Sequence, residues 1–174
     1  MKQKVSDYIA EYIAQWGIRD VFTVTGGGAM HMNDAFGHHK MLHCTYQHHE
    51  QACAMAAEAY ARLGNKMAAV CVTTGPGATN AITGVLGAWM DSIPMLVFSG
   101  QARYATTVSA SGLPLRSMGV QECNIVPVVK SLTKYAHMIV HPENIRYHLE
   151  KALYLAVNGR PGPVWLDIPL DVQG

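Results

Sequence analysis

The chain has 174 residues, 49% of them apolar, with 13 basic and 12 acidic residues and a formal net charge of +1. This length predicts a single domain over residues 1–174, because it is enough for one sizeable core and short for two. The balanced charge excludes the basic surface of a nucleic-acid-binding protein, and no run of residues predicts a membrane span or a signal peptide. We therefore expect a protein that binds or converts a small molecule.

The first predicted element is a helix that ends before Gly17. Its apolar residues Val5, Ile9, Ile13 and Trp16 recur at helical spacing, and a glycine is a common helix stop. Short β-rich runs then alternate with helical ones. The β-rich runs are DVFTV, LHCTY, MAAVCVTT, PMLVFSG, KYAHMIV and PVWLDIP. Nearly continuous apolar strands that alternate with helices predict an α/β fold with a doubly wound parallel sheet of about six strands.

Ligands of doubly wound sheets bind beyond the carboxyl ends of the strands. Four turns of this chain are predicted to meet at that edge: TGGGAM (25–30), YQHHEQ (46–51), TTGPGATN (73–80) and SGQARY (99–104). The segment 100–118 follows without periodicity, and we expect it to be a mobile, functional loop. The chain ends in DIPLDVQG directly after a strand, which we interpret as the start of a connector to further domains of a longer protein.

The two glycine-rich turns favour close approach of a ligand or an anion. Neither completes a dinucleotide fingerprint, because His31 and Asn80 stand where the third glycine is required. A nucleotide-binding, Rossmann-like module stays open as an alternative, since Glu50 lies near the distance expected for a ribose-binding carboxylate. His49 and Cys53 share a helical face, but no further ligands follow at familiar spacing, so we predict no metal site in this chain.

Two glutamates of the alanine-rich helix differ in their surroundings. Glu58 has Arg62 four residues later and is interpreted as one half of a surface ion pair. Glu50 opens the helix, and only small apolar residues follow it on its own face. The residues alone leave two interpretations of Glu50 open, a functional carboxylate in a poorly solvated setting and a complement to the helix dipole.

Four motifs together resemble a known family. They are GGGAM (26–30), HHEQACAMAAEAYAR (48–62), TTGPGATNAITGVLGAWMDSIPMLVFSGQ (73–101) and NGRPGPVWLDIPLDVQ (158–173). In this order, and over nearly the whole chain, they resemble the N-terminal pyrimidine-binding domain of thiamine-diphosphate enzymes of the acetolactate synthase family. The resemblance implies a 2-oxo-acid decarboxylating carboligase with transferase or lyase chemistry and with pyruvate as donor.

The resemblance also implies roles for individual residues. Glu50 matches the glutamate that hydrogen-bonds N1′ of the cofactor's aminopyrimidine and so promotes removal of the thiazolium C2 proton. Gln121 matches a glutamine that faces the catalytic centre, and His49 stands beside the glutamate. Residues that match the turns around the pyrimidine are Val24, Thr25, Gly26, Gly27, Gly75, Pro76, Gly77 and Asn80.

The cofactor implied by the resemblance is thiamine diphosphate with Mg²⁺. The family binds the diphosphate and the metal through a separate domain with a G-D-G…N-N motif, which does not occur in these residues. The resemblance therefore implies a partner domain from another subunit, a homodimer or homotetramer, and negligible turnover by this segment alone. A separately encoded partner subunit is an alternative.

Departures from the family pattern occur near the reacting centre. Val24 and Thr25 replace a common Tyr-Pro pair, Val120 replaces a phenylalanine, and A-R-Y follows Gln101 where many members have V-P-R. These departures weaken the expectation of a structural FAD and leave the acceptor open, with acyl transfer to a keto-sugar as an alternative. The four cysteines contain no C-x-x-C pair and predict free thiols in a reducing, cytoplasmic location.

Overall fold

The computed structural model describes residues 3–174. Six strands form one sheet in the order β2-β1-β3-β4-β6-β5, and every neighbouring pair is parallel. The strands are β1 (Asp20–Thr23), β2 (His43–Tyr46), β3 (Ala69–Val72), β4 (Met95–Gln101), β5 (Tyr135–Met138) and β6 (Pro163–Pro169). The predicted α/β fold with a six-stranded parallel sheet is confirmed.

Nine α-helices surround the sheet within the described residues. They are α1 (Val5–Trp16), α2 (Met30–His38), α3 (Glu50–Gly64), α4 (Pro76–Asn80), α5 (Ile82–Met90), α6 (Val108–Ser111), α7 (Ile125–Val129), α8 (Ile145–Val157) and α9 (Leu170–Gln173). Helix α1 ends as predicted, since Gly17 adopts a left-handed conformation with φ 111° and its N–H bonds back to the carbonyl of Ala14. The helical run after β3 is divided into α4 and α5 at Ala81.

The sheet is buried on both faces, because successive strand residues point to opposite sides. In β4, Leu96 and Phe98 join a core with α1, α2 and α8. Met95 and Val97 join a second core with α3, α5 and α7 on the other face. This two-sided burial explains why the strands appear in the sequence as nearly continuous apolar runs.

The strand order reverses direction between β1 and β3. The chain runs from β1 to its neighbour β2 and then returns to β3 on the other side of β1. The turns that follow β1 and β3 therefore leave the sheet beside each other, at its carboxyl edge. Such a switch point is where doubly wound sheets form their binding crevice.

The segment 100–118 is partly ordered into short helical turns. Strand β4 extends to Gln101, and a 3₁₀ turn (Tyr104–Thr106) and helix α6 follow. The expected mobility of this segment stays a prediction. No helix within residues 3–174 is both long and apolar enough to cross a membrane.

A cluster of aromatic and titratable side chains covers the edge strand β5. The rings of His137 and His148 stack with centroids 4.1 Å apart, and the Tyr135 hydroxyl lies 2.6 Å from His148 Nδ1. The Lys151 ammonium lies 4.8 Å from the centre of the Tyr135 ring. Burial, with smaller contributions from His137 and Lys151, lowers the pKa of His148 to about 4.

We predict that His148 makes the fold sensitive to acid. Its pKa is lowered from 6.5 to about 4 on folding, so the unfolded chain takes up the proton first and stability falls as the pH drops between these values. The loss is at most about 3 kcal/mol. Urea unfolding at several pH values should show a shallower acid dependence for His148→Gln, which keeps an acceptor for Tyr135. His38→Gln serves as the control because the His38 side chain is 84% exposed, and an identical acid dependence in both variants would contradict the prediction.

Candidate functional site

A cleft of about 490 Å³ opens at the carboxyl edge of the sheet, at the switch point between β1 and β3. The turn 26–28 forms one wall, and Thr73, Thr74 and Gln101 lie at the ends of β3 and β4. Gln121 and Arg103 complete the rim from the segment after β4. The cleft is thus lined by residues of three of the four turns that the sequence placed at this edge, 25–30, 73–80 and 99–104, together with the predicted Gln121.

The turns after β1 and β3 are fastened to each other. The Gly28 amide donates to Thr73 Oγ1 at 3.0 Å. Just before these turns, Thr23 Oγ1 at the end of β1 donates to the carbonyl of Cys71 in β3 at 2.8 Å. A Cβ atom at Gly26 would lie 2.4 Å from Thr73 Cβ. Only a residue without a side chain therefore allows the two turns to approach this closely.

Gly75 places the β3 turn directly against Gln121. Gly75 has φ 59°, and a Cβ atom there would lie 2.0 Å from the carbonyl oxygen of Gln121. Gln121 itself has φ 55°, a conformation that few residues other than glycine adopt, and it is exposed. The position of Gln121 is therefore imposed by its tertiary contacts.

Glu50 is the first residue of α3 and follows β2 at the same edge. The helix is capped by His49, whose Nδ1 accepts a hydrogen bond from the Gln51 amide at 3.1 Å. Asn80 Nδ2, on α4, donates to Glu50 Oε2 at 3.0 Å. A Cβ atom at Gly77 would lie 3.3 Å from Glu50 Oε1, so the half-buried carboxyl group rests against the G-P-G turn.

The small residues that follow Glu50 on its helix have a packing role. Cys53, Ala54 and Ala57 are buried in the second core. A Cβ atom at Gly84 of α5 would lie 2.5 Å from Ala54 Cβ, so small residues on both helices allow α3 and α5 to touch. The sequence suggested a poorly solvated setting for Glu50. Its side chain is only half-buried, because the small residues that follow it pack against α5. Glu58 pairs with Arg62 as predicted, with 2.6 Å between Oε1 and Nη2.

The predicted site residues form two adjacent groups. Glu50, Gly77 and Asn80 make one, and the cleft with Gly26, Gly27 and Gln121 makes the other. Thr73 connects them. Its side chain lines the cleft, and its Cγ2 would lie 2.7 Å from a Cβ atom at Gly77.

The remaining predicted residues are less involved in this arrangement. Val24 is half-buried against the second core, Thr25 is exposed, and Pro76 is exposed at the first position of α4. No group of three or more histidine, cysteine or acidic residues within residues 3–174 is placed to hold a metal ion.

A buried polar network lies beneath the cleft, on the face of the second core. Asp167 of β6 is completely buried and accepts hydrogen bonds from Ser99 Oγ at 2.6 Å and from Gln101 Nε2 at 3.0 Å. Trp165 Nε1 donates to Ser99 Oγ at 2.8 Å. Burial raises the pKa of Asp167 to about 7, against the opposing effect of the two donors. The carboxyl group is therefore held by neutral donors.

A second carboxylate organises the segment beside Gln121. Glu122 accepts backbone hydrogen bonds from Val108 at 2.7 Å, Met118 at 2.8 Å and Gly119 at 3.0 Å. Burial alone would raise the pKa of Glu122, but the three backbone donors outweigh it and lower the pKa. The ionised carboxylate thus closes the loop that leads to Gln121.

Sequence reasoning placed Thr73 and Gln101 in turns at this edge without assigning them a role, and it missed Glu122 and Asp167. One signal was present, because Asp167 is a carboxylate inside the apolar run PVWLDIP, and a charge in a buried strand needs partners. No comparable signal marks Glu122, whose three donors come from positions spread over the preceding loop.

Comparison with known proteins identifies similar sequences. The family "Thiamine pyrophosphate enzyme, N-terminal TPP binding domain" matches residues 3–113. Acetolactate synthase 2, chloroplastic, of Zea mays is 36% identical over 98% of this chain and 26% of its own length. Acetolactate synthase, chloroplastic, of Arabidopsis thaliana is 35% identical over 98% of this chain and 24% of its own length. The chain thus spans about a quarter of the length of these relatives.

We predict that Gly75→Ala destabilises the fold and displaces Gln121. The substitution forces φ 59° on an alanine and brings its Cβ to 2.0 Å from the Gln121 carbonyl, so we expect a loss of about 2 kcal/mol or more. Gly27→Ala is the matched control, because a Cβ atom there has no neighbour within 4 Å, and it should cost less than about 0.5 kcal/mol. Urea unfolding of both variants measures the difference, and equal losses would show that the Gly75 contact is unimportant.

Proposed function

The chain belongs to the thiamine pyrophosphate enzymes as an N-terminal domain of the acetolactate synthase type, and on that premise we propose that it forms the aminopyrimidine half of the active site of a 2-oxo-acid carboligase. The observation that carries this proposal is the placement of Glu50. Its carboxyl group stands at the carboxyl edge of the sheet, supported by Asn80 and adjoining the glycine-lined cleft. The family assignment favours this function over the nucleotide-binding alternative.

The residues at this edge fit an aminopyrimidine ring. A flat heteroaromatic ring needs space beside the backbone and a group that can share a proton with a ring nitrogen. The space beside Gly27 is open, because a Cβ atom there would meet nothing within 4 Å. Asn80 occupies one oxygen of Glu50, and no described residue donates to the other oxygen, Oε1, which is available for a ring N–H.

Glu50 is proposed to act as the proton-holding group of this half-site. Bound thiamine diphosphate supplies a thiazolium carbon that becomes nucleophilic once its proton is removed, with the aminopyrimidine as the local base. The carboxyl of Glu50 shares a proton with the ring nitrogen and so favours the basic form of the ring. Asn80 fixes the rotation of the carboxyl by donating to Oε2, and Oε1 then lies beside Gly77, where a Cβ atom would be 3.3 Å away.

Gln121 is proposed to face the substrate. It projects from a strained turn on the rim of the cleft, and its position is fixed by the Gly75 contact and by the nearby Glu122 loop. An amide there can donate to the carbonyl or carboxylate oxygen of a 2-oxo acid. Val24, Thr25, Gly26 and Gly27 are proposed to line the approach of cofactor and substrate.

The whole protein is proposed to use pyruvate as donor. Thiamine diphosphate is expected to bind through its diphosphate and Mg²⁺ to a domain of another subunit, so the active enzyme is at least a homodimer and this segment alone is expected to be inactive. A structural FAD remains outside the proposal. The four cysteine thiols are free, which supports the proposed reducing compartment such as the cytoplasm.

We predict that Glu50→Gln in the full-length protein abolishes cofactor activation. Glutamine keeps the size of the side chain and an acceptor oxygen for Asn80, but its amide neither takes up nor releases a proton at neutral pH. The exchange rate of the thiazolium C2 proton, measured by NMR after quenching, and turnover of pyruvate should both fall by at least about 100-fold.

Glu58→Gln is the control on the same helix. Glu58 pairs with Arg62 on the surface, away from the cleft, and its replacement should leave C2 proton exchange unchanged. Wild-type exchange and turnover in Glu50→Gln would show that Glu50 does not hold the proton.

A further inference from the structure

We propose that Gln101 is the positioning residue of this site and that Asp167 fixes the direction of its amide group. In this role, Gln101 sets the separation between the Thr74–Gly75 turn and the Gln121 segment, two of the segments at the cleft. The inference rests on the proposed function, since it assigns a reason for the exact placement of Gln121, but its structural part can be tested separately.

The amide of Gln101 joins three separate parts of the chain. Its Nε2 donates to Asp167 Oδ2 at 3.0 Å and to the carbonyl of Cys123 at 2.8 Å. Its Oε1 accepts from Thr74 Oγ1 at 2.7 Å and from the Ala102 amide at 3.0 Å. Both N–H groups and both lone pairs of the amide are therefore used, and the side chain is 1% exposed.

Asp167 allows only one orientation of this amide. Above its pKa of about 7, the Asp167 carboxylate can only accept, so it requires the NH₂ end of Gln101 to face it. Turning the amide over would place Oε1 against the Asp167 carboxylate and the Cys123 carbonyl, three acceptors with no hydrogen between them. Ser99 Oγ donates to the other carboxylate oxygen, Oδ1, and accepts a hydrogen bond from Trp165 Nε1. The network is fully satisfied, and such buried networks are rigid.

The fixed amide is hydrogen-bonded to two of the segments at the cleft, through Thr74 and Cys123. Thr74 immediately precedes Gly75, the residue on which the Gln121 carbonyl rests. Cys123 is half-buried and lies two positions after the exposed Gln121. The Gln121 segment is therefore hydrogen-bonded to Gln101 through the Cys123 carbonyl, and the Gln121 carbonyl packs against Gly75.

Gln101 acts through other residues, although it borders the cleft. Its four hydrogen-bonding positions are all occupied within the protein, which leaves none for a ligand. Its expected influence is on the geometry of Gln121, where a displacement of about 1 Å can lower a rate about 100-fold.

The test compares Gln101→Met with Thr133→Val in the full-length protein at pH 8, above the pKa of about 7 of Asp167. Methionine fills the same space without hydrogen bonds. We expect kcat for pyruvate to fall about 10- to 100-fold, the Kd for thiamine diphosphate to change less than about threefold, and amide hydrogen exchange over residues 121–125 to accelerate at least about tenfold.

Thr133→Val separates positioning from general stability. It removes a buried hydrogen bond, from Thr133 Oγ1 to the Val129 carbonyl, that belongs neither to the Gln101 network nor to the cleft, so it should lower the melting temperature while kcat and exchange over residues 121–125 stay within about twofold of wild type. A Gln101→Met protein that loses stability but keeps normal kcat and exchange overturns the proposal. A wild-type protein without thiamine-dependent turnover would reject the proposed function, and hydrogen exchange would still decide the positioning role.

A second pair of variants covers the case in which Gln101→Met does not fold. Thr74→Val removes the donor to Gln101 Oε1, whereas Thr74→Ser keeps it. We expect Thr74→Val to accelerate exchange over residues 121–125 and to lower kcat, and Thr74→Ser to recover most of both. Equal behaviour of the two variants would contradict a role for this amide network.

Discussion

Six parallel strands carry apolar side chains on both faces, and each face must be covered by helices before the sheet is stable. Every crossover returns the chain to the same end of the sheet, so the turns after β1, β2, β3 and β4 all leave from its carboxyl edge. The strand order then brings the β1 and β3 turns side by side. The location of the candidate site is thus a consequence of how a parallel sheet buries its two faces.

On the face of the second core, the polar side chains of β4 and β6 lie toward this edge. Along β4, Met95 and Val97 face that core as apolar residues, while Ser99 and Gln101 continue the same face as polar residues toward the site. Asp167 lies opposite Ser99 in the register of β6. A buried carboxyl without a basic partner is costly, and the hydrogen bonds that Gln101 Nε2 and Ser99 Oγ donate to it offset part of that cost.

The exposed functional groups therefore stand on a rigid base. Gln121 is exposed and adopts a left-handed backbone conformation, which is tolerated when the surrounding structure over-determines it. Glu50 has an analogous support in Asn80 and the Gly77 turn, while one of its oxygens has no described donor. In the proposed enzyme, a cofactor ring and a second domain would complete the environment that this chain leaves open around Glu50.

Local patterns in the sequence determined the helix that stops at Gly17, the six strands, their two-sided burial, the Glu58–Arg62 pair and the edge at which the turns meet. The tertiary structure decided which turns touch. Asn80 reaches Glu50 from 30 residues away, and Ser99 reaches Asp167 from 68 residues away. A periodicity of two or 3.6 residues specifies which face of an element is buried but not which strand lies next to it. Contacts such as Gly75 with Gln121 therefore follow only from the strand order and the close packing of the folded chain.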